Sequence, residues 1–160
     1  MMKKFFLLIF TFFLTVQVNA QLKAKLAAKH FENLAYFEAA PMYNELADKF
    51  LAKKKGEKNY VLRAAISNGK IVEYRRSNKY YSSLLELDVK ALSEGQYMDY
   101  IDQLRMLEAY EKSVEEAKKA LTLYPENKYF RLLSAEGDDL MILKRWRNLI
   151  RWRQCLLILI

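Results

Sequence analysis

The stretch Tyr110-Glu-Lys-Ser113-Val-Glu-Glu-Ala117-Lys-Lys-Ala120-Leu121-Thr-Leu-Tyr-Pro125-Glu-Asn127 decides the fold. An aromatic residue opens it, small residues follow at +3, +7 and +10, and proline stands at +15. Residues three and four apart are neighbours on a helix, so the small side chains form one stripe. Such a stripe lets a second helix backbone come close, while the aromatic fills the space beside it. Pro125 cannot continue the helix, because it lacks an N–H and its ring clashes with the preceding turn. The order predicts a helix from Tyr110 to Tyr124 and a new one from Lys128 to about Glu136.

Looser copies lie on either side. Tyr36-Phe-Glu-Ala39-Ala-Pro-Met-Tyr43-Asn-Glu-Leu46 is one, and Tyr80-Tyr-Ser-Ser83-Leu-Leu-Glu-Leu87 is another, with a large Leu87 at the +7 place. Trp146-Arg-Asn-Leu149 begins a further one, with charged Arg153 at +7. The aromatics Tyr36, Tyr80, Tyr110 and Trp146 stand 44, 30 and 36 residues apart. This pattern resembles the second-helix half of the tetratricopeptide repeat, whose period is about 34 residues. The resemblance implies an all-α fold, a right-handed superhelical array of three to four antiparallel helix pairs. In such an array Tyr36, Ala39, Tyr43, Tyr80, Ser83, Tyr110, Ser113, Ala117, Ala120 and Pro125 are repeat-packing residues. The competing arrangement is a non-repetitive helical bundle.

Hydrophobic spacing extends the helical reading upstream. Leu22 to Asn33 reads as a helix, and so does about Ala35 to Lys53, with Pro41 expected to kink it or to mark a start near Ala40. Lys53 to Asn59 is a polar loop. Within Tyr60 to Arg76, Asn68-Gly69 is a two-residue hairpin signal, but Leu62, Ala65, Ile66, Ile71 and Tyr74 also suit a helix. Helical neighbours on both sides favour helix. Asn78 to about Ala91 reads as the next helix, Ser93-Glu94-Gly95-Gln96 as a break, and Tyr97 to Glu108 as the helix before the decisive stretch.

The ends have their own character. Lys3 and Lys4, the apolar run Phe5 to Leu14, and Val18 and Ala20 in the −3 and −1 places are built like a secretory signal peptide. The expected organisation is a signal peptide at 1–20, a helical repeat domain at 21–136 and a tail at 137–160. The leader followed by Ala-Lys-His30-Phe-Glu-Asn33-Leu-Ala-Tyr36 resembles the N-terminal repeat region of outer-membrane-protein-A-like envelope proteins of the Bacteroidota, some linked to type IX secretion. That resemblance implies export to the periplasm or an outer-membrane association. The β-propeller and peptidoglycan-binding domain of those proteins have no counterpart here.

Of the net charge of +8, the leader lysines hold +2, and residues 140–160 hold +5 through Lys144, Arg145, Arg147, Arg151 and Arg153. Residues 21–139 keep only +1, which argues against nucleic acid as a partner. Three readings fit the tail: a fourth helix pair, a basic Trp-bearing helix over residues 144–160 lying on an anionic membrane surface, or a truncated or shifted reading frame.

Chemistry is sparse. Cys155 is the only cysteine, so no intramolecular disulfide forms, and no Cys/His cluster has zinc-ligand spacing. Glu115-Glu116 and Asp138-Asp139 are sequence neighbours whose side chains diverge. There is no phosphate-cradling glycine loop and no nucleophile elbow. No catalytic residue, metal ligand or cofactor is expected, and the chain reads as a protein-binding module. Stacked helix pairs offer an extended face to a peptide or partner helix. Candidate contacts on the first helices of the pairs are His30, Asn33, Ser67, Tyr74, Tyr97, Tyr100 and Gln103. The sole histidine, His30, lies on the apolar face of the first helix and reads first as a packed side chain.

Overall fold

The computed structural model describes residues 21–53 and 56–135, and seven helices with no strand stand among them. They are α1 (21–32), α2 (Tyr36–Lys53), α3 (Asn59–Lys70), α4 (Tyr74–Leu87), α5 (Glu94–Met106), α6 (Tyr110–Leu123) and α7, from residue 128 to the last described residue, 135. The all-α expectation holds. The signal-peptide reading of 1–20 and the three readings of the tail lie outside the described residues.

One turn is used three times. Leu34, Val72 and Glu108 have φ of 59°, 67° and 59°, the left-handed region. Two residues later Tyr36, Tyr74 and Tyr110 open α2, α4 and α6. The N–H of each left-handed residue bonds a carbonyl three back, to Phe31, Gly69 and Arg105. The next N–H, of Ala35, Glu73 and Ala109, reaches five back, to His30, Asn68 and Leu104, at 2.8–2.9 Å. This double closure satisfies carbonyls that a helix end otherwise leaves open, and glycine is its usual occupant. Here leucine, valine and glutamate fill that place.

The turn sets a register that differs from the sequence expectation. Counted from the three opening tyrosines, +3 is Ala39, Ser77 and Ser113, and all three are fully buried. At +7 stand Tyr43, Tyr81 and Ala117, and at +10 Leu46, Leu84 and Ala120, all buried. The second copy therefore starts at Tyr74 and not at Tyr80, and the openings are 38 and 36 residues apart. Tyr80 is buried and Ser83 half-buried within α4, six and nine residues into the copy. Tyr110 and Pro125 are exposed, and the Tyr110 ring centre lies 5.9 Å from the Arg105 guanidinium carbon.

Other boundaries also moved. The hairpin alternative at Asn68-Gly69 is absent, because both residues lie inside α3. The Asn68 amide donates to the Ala64 carbonyl one turn back and to Asn44 Oδ1, each at 2.6 Å, so its polar group is used within the helix. α2 runs through Pro41 with its start at Tyr36. Pro41 is on the exposed side, where water can take the carbonyl left by its missing N–H. Ser93-Glu94-Gly95-Gln96 is a helix start and not a break. Ser93 Oγ accepts from the Gln96 N–H, and Gln96 Oε1 accepts from the Ser93 N–H at 3.0 Å. That reciprocal cap satisfies two donors at the head of α5.

The chain divides between Ala91 and Leu92. In the first unit α1 and α2 run antiparallel: Phe31 meets Tyr36 and Tyr43 edge-on at 5.6 and 5.9 Å, and Lys23 pairs with Glu45 at the far end. α3 and α4 do the same, with Ser77 Oγ bonded to the Ala65 carbonyl at 2.7 Å and Lys58 paired with Asp88 at 2.7 Å. In the second unit the Tyr97 hydroxyl meets Glu116, and Phe130 of α7 packs against Tyr97 and Tyr124. Asn127 caps α7 by accepting the Phe130 N–H at 3.0 Å, and its amide donates to Glu94 at 2.6 Å.

Candidate functional site

The sequence-derived contact residues do not form one face. His30 and Tyr74 are half-buried and Asn33 is exposed. Ser67, Tyr97 and Tyr100 are buried at 0–1% exposure, and Gln103 at 8%. These four belong to the packed interior and are corrected to structural positions. The cause is their place on the helix: Tyr97, Tyr100 and Gln103 share the stripe of α5 on which Ile101 and Leu104 are also buried. Ser67 Oγ and Gln103 Oε1 are buried without a hydrogen-bond partner among the described residues, as are both polar atoms of the Asn78 amide.

A recess lies instead between α2 and α4 in the first unit, an open cleft of about 670 Å³. Pro41, Asn44 and Asp48 line one wall, spaced so that they share a face of α2. Glu73, Arg75, Arg76, Lys79 and Tyr80 line the other. Tyr80 is the floor: its hydroxyl lies 3.3 Å from Asp48 Oδ1 and 3.4 Å from the Asn44 carbonyl. Lys79 Nζ pairs with Asp48 at 3.0 Å and sits 5.2 Å from the Tyr80 ring centre. Burial, and then the Asp48 carboxylate, push the Tyr80 hydroxyl well above the ordinary tyrosine range, so it stays a neutral donor. The Asn44 amide is fixed by a two-way contact with Asn68.

Two further cations line the cleft. Arg75 and Arg76 are exposed in the first turn of α4, and neither pairs with a carboxylate among the described residues. They sit on a basic body: residues 21–91 hold 14 lysines and arginines against 8 acids, whereas residues 92–135 hold 6 against 8. The near-neutral total read from the sequence conceals this contrast. A second, more apolar recess of about 460 Å³ lies in the other unit, lined by Lys118, Leu121, Thr122, Arg131, Ser134 and Ala135.

Sequence reasoning missed the α2–α4 cleft. Arg75-Arg76 followed by Lys79 is a visible cluster, but its opposite wall lies some thirty residues upstream and only the packing brings it near. Among the described residues no three His, Cys, Asp or Glu side chains group as metal ligands. No described helix is long and apolar enough to cross a membrane. Comparison with protein-family models finds no match for the chain, and comparison with curated proteins finds none either.

Proposed function

We propose that the chain is a non-enzymatic protein-interaction module of the cell envelope, built as a superhelical array of three to four tetratricopeptide-like helix pairs. The observation that carries this reading is the turn repeated at Leu34, Val72 and Glu108 with the same pair of hydrogen bonds. It comes with a buried small residue three places into each second helix, at Ala39, Ser77 and Ser113. A chain that repeats one supersecondary unit gains length along one axis and presents an extended surface to a peptide or partner helix. His30, Asn33 and Tyr74 retain the accessibility that contact requires. Export rests on the leader sequence of residues 1–20.

Photo-crosslinking in living cells tests the reading. A photoreactive residue replaces Asn33, Asn44 or Tyr74 in turn, and the chain is recovered from separated periplasmic and membrane fractions. A discrete protein adduct from at least one position, in an envelope fraction, is the expected outcome. Recovery of the chain only from the cytoplasm, or no adduct from any of the three positions, overturns it.

A further inference from the structure

We propose that the cleft between α2 and α4 binds an acidic peptide segment of a partner protein, with Arg75 and Arg76 taking its carboxylates. The inference rests on the protein-interaction reading and names the partner's chemistry at one site. A guanidinium presents a planar fork of donors that matches a carboxylate, and two such groups here are exposed and pair with no carboxylate among the described residues. The third cation, Lys79, is already matched by Asp48 across the cleft, so Arg75 and Arg76 are its cations without a carboxylate partner among the described residues. The excess of basic residues in 21–91 extends an attractive field around the cleft and would speed encounter with an acidic chain.

The cleft's acids decide what kind of anion fits. Asp48 and Glu73 stand on opposite walls, so a phosphate backbone or an anionic lipid face would bring negative charge against both. An extended peptide places carboxylates only at chosen side chains and offers N–H groups between them. Asp48 and Glu73 can accept from those donors, and the carbonyls of such a chain can meet the Asn44 amide. A lining that combines cations, acids and an amide matches a peptide better than a uniform polyanion.

The test uses fluorescence anisotropy of the full chain with a labelled ten-residue peptide rich in Asp and Glu, and with a Lys-rich peptide of equal length. The acidic peptide binds, the basic one does not, and affinity falls as salt shortens the screening length from about 30 Å at 0.01 M to about 8 Å at 0.15 M. The double variant R75E/R76E weakens binding about tenfold or more, as expected for losing two charge-assisted contacts and adding repulsion. K25E/K29E makes the same change in net charge on exposed positions of α1 and leaves affinity within about twofold. Circular dichroism melts show whether each variant folds; R75Q/R76Q, which removes charge without reversing it, provides the reading if the reversal unfolds the chain. Absence of acidic-peptide binding overturns the proposal, as does equal weakening by both double variants. Binding of a single-stranded RNA or of phosphatidylglycerol vesicles in place of the peptide also overturns it. If crosslinking to a partner persists while the peptide fails, the cleft assignment falls and the interaction reading stands.

Discussion

The Tyr97 hydroxyl donates to Glu116 Oε2 at 3.0 Å across α5 and α6, and Lys119 Nζ reaches the other oxygen at 2.9 Å. Tyr97 and Glu116 are both buried, so this is the polar tie inside the pair that the decisive sequence stretch helps build. Removing the phenol oxygen takes away a hydrogen bond to a buried carboxylate while leaving the ring in place. Tyr97→Phe is expected to lower stability by about 1–2 kcal/mol. Urea unfolding with an unchanged slope is the check; no loss would mean that Lys119 alone satisfies Glu116.

Burial first, and then Glu116, raise the Tyr97 hydroxyl above its ordinary range, as burial and Asp48 raise that of Tyr80. A group whose folded pKa lies above its unfolded value binds more protons in the native state. Its stabilisation is complete below the unfolded value, about 10 for tyrosine, and is lost as pH rises toward the folded one. Lys119, raised by its bond to Glu116, acts in the same direction. Stability is therefore expected to decline above about pH 10, and Y80F/Y97F should flatten the decline. Urea midpoints measured between pH 8 and pH 11 on both chains decide this.

Val72 holds φ at 67° although its side chain branches at Cβ, which makes the left-handed region costly. The side chain is 66% exposed, so it has little packing to lose. Val72→Gly is expected to raise stability by roughly 0.5–1 kcal/mol, the relieved strain exceeding the added freedom of the unfolded chain. Thermal melts of Val72→Gly and Val72→Ala separate the two contributions, because alanine keeps the Cβ clash.

What could be read in the sequence follows from how local each signal is. Ser113, Ala117 and Ala120 form an uninterrupted small-residue stripe ending at a proline, and all three are fully buried. The aromatic signal alone places the second copy six residues late, because Tyr80-Tyr81 is stronger than Tyr74, and because Val72 gives no hint of a left-handed turn. Ser93-Gln96 carries the residues of a reciprocal cap, yet the glycine between them reads as an interruption. The cleft was least legible of all: Asp48 and Lys79 meet only after three helices have folded, and no pattern within one helix encodes that meeting.

Ala117 is fully buried where α5 and α6 pack together. Ala117→Leu inserts a branched side chain into a space shaped by a methyl group, and overpacking of that kind costs about 1–3 kcal/mol. Tyr110, exposed at the head of the same helix, serves as the contrast: Tyr110→Ala should cost about 1 kcal/mol or less. Equal effects of the two substitutions would mean that the stripe is not a close helix contact.

Glu45 is held at about 2 by hydrogen bonds from Lys23 and Lys49. Its folded value is depressed, so the contribution is present above the unfolded carboxyl value and is lost as pH falls toward 2. The carboxylate is exposed and screened, which limits the gain to a few tenths of a kcal/mol. Glu45→Gln should therefore shift the urea midpoint slightly at pH 7 and low salt, with the difference gone in 1 M NaCl. A difference that survives the salt would point to packing by the side-chain stem.

Arg63 joins three helices. Its Nη1 donates to the Tyr43 hydroxyl at 2.7 Å, and its guanidinium carbon lies 5.2 Å from the Phe31 ring centre and 5.8 Å from that of Tyr43. A flat, weakly hydrated cation can stack on one ring while it donates at its edge, whereas an ammonium is compact and keeps its water. Arg63→Lys should therefore lose most of what Arg63→Ala loses, about 1–2 kcal/mol, in spite of conserving the charge. The loss should be local: α1 is held partly through Phe31, so amide exchange in α1 should accelerate more than in α4. If Arg63→Lys matches the parent chain, charge alone accounts for the contact and the stacked geometry contributes nothing.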